Sequence, residues 1–237
     1  MRVVDLWRYP VKSLQGERLE AAEVGPLGIV GDRRYGLVDT STGHVLTARR
    51  VPELLLASAR YLDADDTVAI TLPDGTESTD DAVLSDWLGR PVELRRADRH
   101  ELPTYEGPVD DLDPEARWAH WEGPTGVFHD SARTQVSLGS LASIGEWDRR
   151  RFRFNVVVDE GGEDELVGRE LTIGDVGLSV TKQIVRCVMT TRPQPGGIDR
   201  DTSVLKTINR ERDRCLGIGA VVTRPGRLAL GDPCTTA

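Results

Sequence analysis

Leu171-Thr172-Ile173-Gly174-Asp175-Val176-Gly177-Leu178-Ser179-Val180 reads as two short strands about a Gly-Asp turn. The same reading extends in both directions. Downstream, 184–189 forms a further strand ending in Thr190-Thr191, 203–212 an amphipathic helix, and 220–223 and 227–230 closing strands. Upstream, 156–158 is a buried-strand core, 140–147 a short helix and 134–138 a strand. The first hundred residues repeat the pattern with strands at 3–9 and 19–24, the latter running into the turn Gly25-Pro26-Leu27-Gly28. Segments 35–39 and 44–47 flank Ser41-Thr42-Gly43 as a hairpin, 54–61 and 67–72 add strands, and 80–88 is a helix with an acidic first turn. Many short strands with few helices predict an α+β, β-dominated protein built on a barrel or sandwich.

One stretch breaks the pattern. From 98 to 126 the composition turns to Pro, Gly, Asp and Glu, with Trp118 and Trp121 embedded. An irregular segment of that length is either an acidic solvated loop or a lid on the substrate side.

The chain has 237 residues, enough to hide roughly 70–75% of its unfolded surface. A net charge of −9 repels polyanions on average, which argues against nucleic acid and anionic membrane as partners while leaving room for a local small-anion site. The N-terminus shows no signal-peptide core and no run has membrane-span length, so a cytoplasmic location is expected. Three cysteines, Cys187, Cys215 and Cys234, make a disulfide framework improbable. The histidines His44, His100, His120 and His129 show no i, i+4 spacing, so the sequence gives little support to a structural zinc site.

Cys187 follows Arg186, a cation that favours thiolate, which is at once a nucleophile and a soft metal ligand. A small buried strand residue is the plain alternative. Cations and hydroxyls recur beside strand ends at 9–13, 31–35, 47–49 and 152–155. Converging, they would form a phosphate site. The run Arg149-Arg150-Arg151 reads as solvated surface, and Trp118 and Trp121 as packing residues or a stacking platform.

In order, Tyr-Pro-Val-Lys-Ser at 9–13, Gly-Asp-Arg-Arg-Tyr at 31–35, Leu-Thr-Ala-Arg at 46–49 and Phe-His-Asp-Ser at 128–131 make an ordered set. It continues with Phe-Arg-x-Asn at 152–155, Ile-Gly-Asp-Val at 173–176, Arg-Cys-Val-Met-Thr-Thr at 186–191 and Leu-Gly-Asp-Pro at 230–233. The set resembles the MOSC family, the molybdenum cofactor sulfurase C-terminal domain, preceded by its N-terminal β-barrel partner. It is most similar to bacterial counterparts of the mitochondrial amidoxime-reducing component.

That resemblance implies a MOSC-type β-barrel at 98–237 packed against a smaller N-terminal β domain at 1–97, with the first strands contributing to a shared cleft. It makes Cys187 the ligand of molybdenum in a molybdopterin cofactor. Lys12, Ser13, Arg33, Ser131 and Arg153 would hold its phosphate and pterin, with Asn155 and Arg186 nearby and Arg49 a further candidate. The implied activity is a two-electron reduction of small N-hydroxylated substrates, with electrons from a separate redox protein. The chain has neither an iron-sulfur cysteine cluster nor a Gly-x-Gly-x-x-Gly fingerprint, so it is not expected to oxidise NADH by itself. The rival readings are a cofactor carrier or sulfur-transfer protein using Cys187, and a metal-free anion-binding module. Two departures touch the substrate side: Phe154 replaces the proline of Phe-Arg-Pro-Asn, and Arg192-Pro193 stands where a Val-Asp pair is common.

Overall fold

A computed structural model describes residues 1–109 and 115–236. Strands hold 40% of the chain and helices 16%, which sets the α+β, β-dominated class. The largest sheet is a curled half-barrel of eight strands. Its middle is Val176–Val185, Cys215–Arg224, Val136–Ser140 and Val156–Val158, with Cys234–Thr236 and Glu170–Ile173 on one side. On the other side lies the chain's own first strand, Val3–Arg8, paired antiparallel with Val156–Val158.

Val136–Ser140 and Val156–Val158 are buried at every position, as strands covered on both faces must be. Their side chains divide by the period of two. Val156 and Val158 point into the barrel with Val3, Leu6, Val136 and Ile218. Val157 points the other way, among Phe152, Phe154, Leu216 and the apolar face of helix Ser203–Arg212. The expected strand pair at 171–180 is present as Glu170–Ile173 and Val176–Val185.

The first hundred residues close over a second core of Val11, Leu14, Leu37, Leu54, Ile70 and Leu84. The strands Ser58–Leu62 and Thr67–Thr71 alternate in burial, and helix Asp81–Leu88 begins at Asp80, whose carboxylate accepts from the amides of Ala82 and Val83. Several expectations are corrected. Segment 44–47 does fold back on 35–39, with Asp39 N–H donating to the His44 carbonyl at 3.0 Å and Leu46 N–H to Leu37 at 2.7 Å, but as a single antiparallel bridge of Val45 to Val38; the full ladder of Tyr35–Asp39 is with Val92–Arg96. Within 54–61, Pro52–Leu56 is a 3-10 turn and the strand starts at Ser58. Within 98–126 the described residues are not all irregular, because Thr104–Pro108 and Trp118–Glu122 form an antiparallel pair; 110–114 lie outside the described residues. The strand expected at 184–189 ends at Val185, and Val188–Thr191 is a 3-10 turn with Cys187 at its start.

Phe154 has a structural role. Its ring packs where Gly139 and Gly217 have no side chain; a Cβ on either would come within 2.3 Å of it. Gly217 also needs its φ of 76°.

No helix among the described residues is long and apolar enough to cross a membrane.

Candidate cofactor site

Antiparallel pairing of the first strand with Val156–Val158 brings the segment after the first strand, 9–13, beside the segment before the second, 152–155. Segment 9–13 is then zipped to 31–35: Arg33 N–H donates to the Tyr9 carbonyl at 2.7 Å, Lys12 N–H to Tyr35 at 2.8 Å and Tyr35 N–H to Pro10 at 3.0 Å. The buried Asp32 fixes the corner by accepting from the Tyr9 amide at 2.7 Å and by pairing with the Arg33 guanidinium.

The result is a cavity of about 390 Å³ lined by Lys12, Ser13, Arg33, Ser131, Arg153, Asn155, Arg186 and Cys187, all eight residues singled out from the sequence. Arg49 lines it as well, donating to the Pro108 carbonyl at 2.9 Å with its guanidinium 5.8 Å from the Trp121 ring. That volume falls in the range of small-molecule sites, which run from about 300 to 1,000 Å³.

In a protein of net charge −9, seven Lys or Arg side chains line this cavity against one carboxylate, Asp130. Lys12 Nζ lies 2.8 Å from Asp130 Oδ1 and 4.8 Å from the centroid of the Tyr105 ring. Burial pulls the Lys12 pKa down against the support of Asp130. The Asp130 side chain is exposed, and Lys12 and Arg33 hold its carboxyl below the usual range. Arg33 and Arg153 sit 5.2 and 4.3 Å from the centroid of the Tyr9 ring. Burial works against both cations; Asp32 more than offsets it for Arg33, whose pKa is raised, whereas Arg153 falls to about 10.

Arg186 is buried under Phe154, 4.4 Å from its ring. Nε donates to the Leu216 carbonyl at 2.9 Å and Nη1 to Phe152 at 3.0 Å, while Nη2 is buried with no partner. Burial lowers its pKa to about 10 against the stabilising pull of Cys187. Asn155 lines the cavity, but its side chain is engaged: Oδ1 accepts from the amide and hydroxyl of Ser137, and Nδ2 donates to Trp7. It ties together the two strands that flank Val156–Val158 in the sheet. Ser131 Oγ accepts from the Arg133 amide at 3.2 Å and lies 3.5 Å from Lys182 Nζ.

Backbone conformation singles out the same residues. Among described non-glycine residues, positive φ occurs at Ser13 (69°), Arg33 (48°) and Arg153 (53°), besides Asp66, Asp213 and Arg214. Left-handed backbone costs about 1–2 kcal/mol per residue, and such strain concentrates where a side chain must be aimed for function.

Sequence reading missed several neighbours. Asp130 and His129 lie in the quoted Phe-His-Asp-Ser motif, and Asp32 in Gly-Asp-Arg-Arg-Tyr; the signal was adjacency to the chosen Ser131 and Arg33. His129 is buried, with Nδ1 2.7 Å from the Thr134 carbonyl, and burial together with Arg33 lowers its pKa to about 4. The solvated reading of 149–151 is corrected at Arg151, while Arg149 and Arg150 keep partly exposed side chains. Arg151 is buried and donates to the carbonyls of Thr190, Arg192 and Asp199, pinning the segment after Cys187. Arg149 pairs with buried Asp5, and Arg150 with Asp148.

Comparison with known proteins gives the family. Residues 1–99 match the MOSC N-terminal beta barrel domain and residues 126–235 the MOSC domain. Among curated relatives, the mitochondrial amidoxime reducing component 2 of Bos taurus is 28% identical over 98% of this chain and 82% of its own length. The mitochondrial amidoxime-reducing component 1 of Homo sapiens is also 28% identical, over 98% of this chain and 81% of its own. Among solved structures, the YUAD protein from Bacillus subtilis matches with a TM-score of 0.44 at 12% identity, covering 98% of this chain and 92% of that one. The chain therefore belongs to the MOSC proteins, with an N-terminal MOSC β-barrel domain followed by a MOSC domain.

Proposed function

We propose that this protein is a molybdenum-cofactor-dependent reductase of small N-hydroxylated compounds, with Cys187 as the protein ligand of the metal and electrons delivered by a separate redox protein. The observation that carries the reading is the cavity itself: seven cations facing one carboxylate, with a thiol at one edge. The MOSC domain is of the molybdenum-cofactor-binding type. The names of the relatives point to amidoxime reduction.

The residues fit such a group. A phosphate bearing two charges would be matched by Lys12, Arg33 and Arg153, with the Ser13 and Ser131 hydroxyls as further donors. The buried, unpartnered Nη2 of Arg186 offers an N–H that an anionic or carbonyl oxygen in the cavity would satisfy. Cys187, at the end of the long Val176–Val185 strand, is held by the backbone: Arg186 N–H donates to Arg214, and the Cys187 carbonyl accepts from the Thr190 amide and hydroxyl. A soft thiolate there suits a soft metal centre.

When bound, the cofactor supplies the two-electron couple; hydroxylamine plus two electrons and two protons gives amine and water. The protein's part is to bind, orient and shield. Phe152, Ile184, Val185 and Met189 give the cavity an apolar lining beside Cys187, and Trp121 lines it next to Arg49.

The test is to purify the protein from a host that makes molybdopterin, measure molybdenum per chain, and supply a reduced viologen dye with benzamidoxime or a simple hydroxylamine. Amidine or amine formation that depends on Cys187 is expected. Full metal loading with no turnover on several N-hydroxylated compounds would favour a carrier of cofactor or sulfur, and tight anion binding without molybdenum would favour a metal-free module.

A further inference from the structure

The hairpin that forms one rim of the cavity carries a second cluster of chemistry. Among the described residues, one group of three potential metal ligands lies together: His44, Glu106 and His120, with ligand atoms all within 4.8 Å of one another. Glu106 and His120 face each other in register across the Thr104–Pro108 and Trp118–Glu122 strands. His44 comes from the loop after Tyr35–Asp39, which is docked on the hairpin by the Val45 amide donating to Thr104 at 2.9 Å. Three separate segments thus deliver two imidazoles and a carboxylate to one point, an arrangement that no i, i+4 spacing could reveal.

The distances suit a metal better than a hydrogen-bonded cluster. His44 Nδ1 is 3.4 Å and His120 Nε2 3.6 Å from the same oxygen, Glu106 Oε2. His44 Nδ1 is buried and makes no hydrogen bond. Tetrahedral coordination with bonds of about 2.0–2.1 Å puts neighbouring ligand atoms roughly 3.3 Å apart, which is what these contacts approach. The two rings meet edge-on at 70° with centroids 4.7 Å apart, and their ligand atoms lie within 4.8 Å of one another. Arg50 lies against the other carboxylate oxygen, Oε1, which leaves Oε2 available. The His120 side chain is 58% exposed, which gives access and room for a water as fourth ligand.

We propose that His44, Glu106 and His120 bind one divalent transition metal of the zinc class, and that this metal clips the hairpin to the 40–45 loop. Two imidazoles, one carboxylate and an open position are a zinc ligand set. The clip bears on the cavity because Trp121, next to His120 on the same strand, is part of its lining. Nothing in this site depends on the molybdenum reading.

Zinc is titrated against a chromogenic chelator in a Cys187→Ser background, which removes the cavity thiolate as a competing ligand. One zinc per chain with a Kd of about 1 μM or below is expected. His44→Ala, Glu106→Gln and His120→Ala should each weaken it by tenfold or more; His120, on the exposed rim, is the variant whose fold is least at risk. Cobalt in place of zinc should give the visible absorption of a tetrahedral site, lost in His120→Ala. Hydrogen exchange of the hairpin amides should slow on adding zinc to the parent and stay unchanged in His120→Ala. No saturable zinc in the Cys187→Ser background, or zinc held equally well after both histidine substitutions, would overturn the site. Zinc bound with no gain in hairpin protection would overturn the clip.

Discussion

Arg153 shows what the site costs the fold. Its backbone is left-handed at φ 53°, its guanidinium is buried, and no carboxylate pairs with it among the described residues. An unpaired buried charge is costly, and left-handed backbone adds to it. Arg153→Gly should therefore leave the melting temperature of the cofactor-free protein no lower than the parent's, while weakening cofactor retention by about 1.5–3 kcal/mol, or roughly tenfold to hundredfold. A clear loss of Tm in the cofactor-free variant would instead make Arg153 a structural residue. Cys187→Ser is the complementary case. The thiol is only partly buried, so the fold should tolerate the change, while reductase turnover should vanish because a hydroxyl is a harder, poorer ligand than thiolate. Full turnover with normal molybdenum content in Cys187→Ser would remove the centre of the proposal. The eight chosen residues were legible because they sit in short motifs that resemble a known family. The strain at Ser13, Arg33 and Arg153 was not, since nothing in local composition marks a non-glycine residue for positive φ.

Two elements behave differently from their sequence. Arg151, in a run that looks solvated, reaches back to three carbonyls of the segment after Cys187, the closest at 2.7 Å to Asp199. Arg151→Ala should release that segment: faster hydrogen exchange over 190–201 and a raised KM, with Arg150→Ala, whose contacts are at the surface, nearly silent. Equal effects from both would show that burial does not distinguish them. The second element is the Phe154 pocket. Gly139→Ala brings a methyl within 2.3 Å of the ring, and overpacking of this kind typically costs about 1–3 kcal/mol. Gly217→Ala adds the strain of φ 76° and should cost more than Gly139→Ala in denaturant unfolding. Strands with strict burial alternation, such as Thr67–Thr71, were readable from sequence because each position reports its own face. The hairpin Thr104–Pro108 with Trp118–Glu122 was not, because Gly107 and Pro108 and the acidic stretch that follows are the ordinary marks of a loop. Its pairing and packing of Tyr105 against Val38, Val45 and Phe128 override local propensity.

At the scale of the molecule, the first strand's place beside Val156–Val158 gathers Lys12, Arg33, His129 and Arg153 into one ionic cluster capped by the exposed carboxylate of Asp130, so stability becomes a function of pH. The groups around His129 are Asp32, whose Oδ2 is 3.7 Å from Nε2, then Arg33, Lys12 and the Thr134 carbonyl. Burial, with Arg33 next, lowers its pKa from 6.5 to about 4. Above pH 6.5 the ring is neutral in both folded and unfolded chains and contributes no slope. Between 6.5 and about 4 the unfolded chain binds the proton and the folded one does not, so stability falls as pH falls, by at most roughly 3 kcal/mol over the window. Asp130 and Asp63 are shifted in the same direction but titrate lower: Lys12 and Arg8, respectively, hold their carboxyls below 3.8, and the stability they confer is lost only as pH drops below 3.8 through those depressed values. Acid unfolding should thus come in two stages, the first belonging to His129. Denaturant unfolding measured from pH 7.5 to 3 should show a slope between 6.5 and 4 in the parent that is flattened in His129→Gln, whose amide can still donate to Thr134 but cannot be protonated. Both proteins should then lose stability together below 3.8. Parallel curves from 7.5 to 4 would mean that the buried imidazole is not what this cluster titrates.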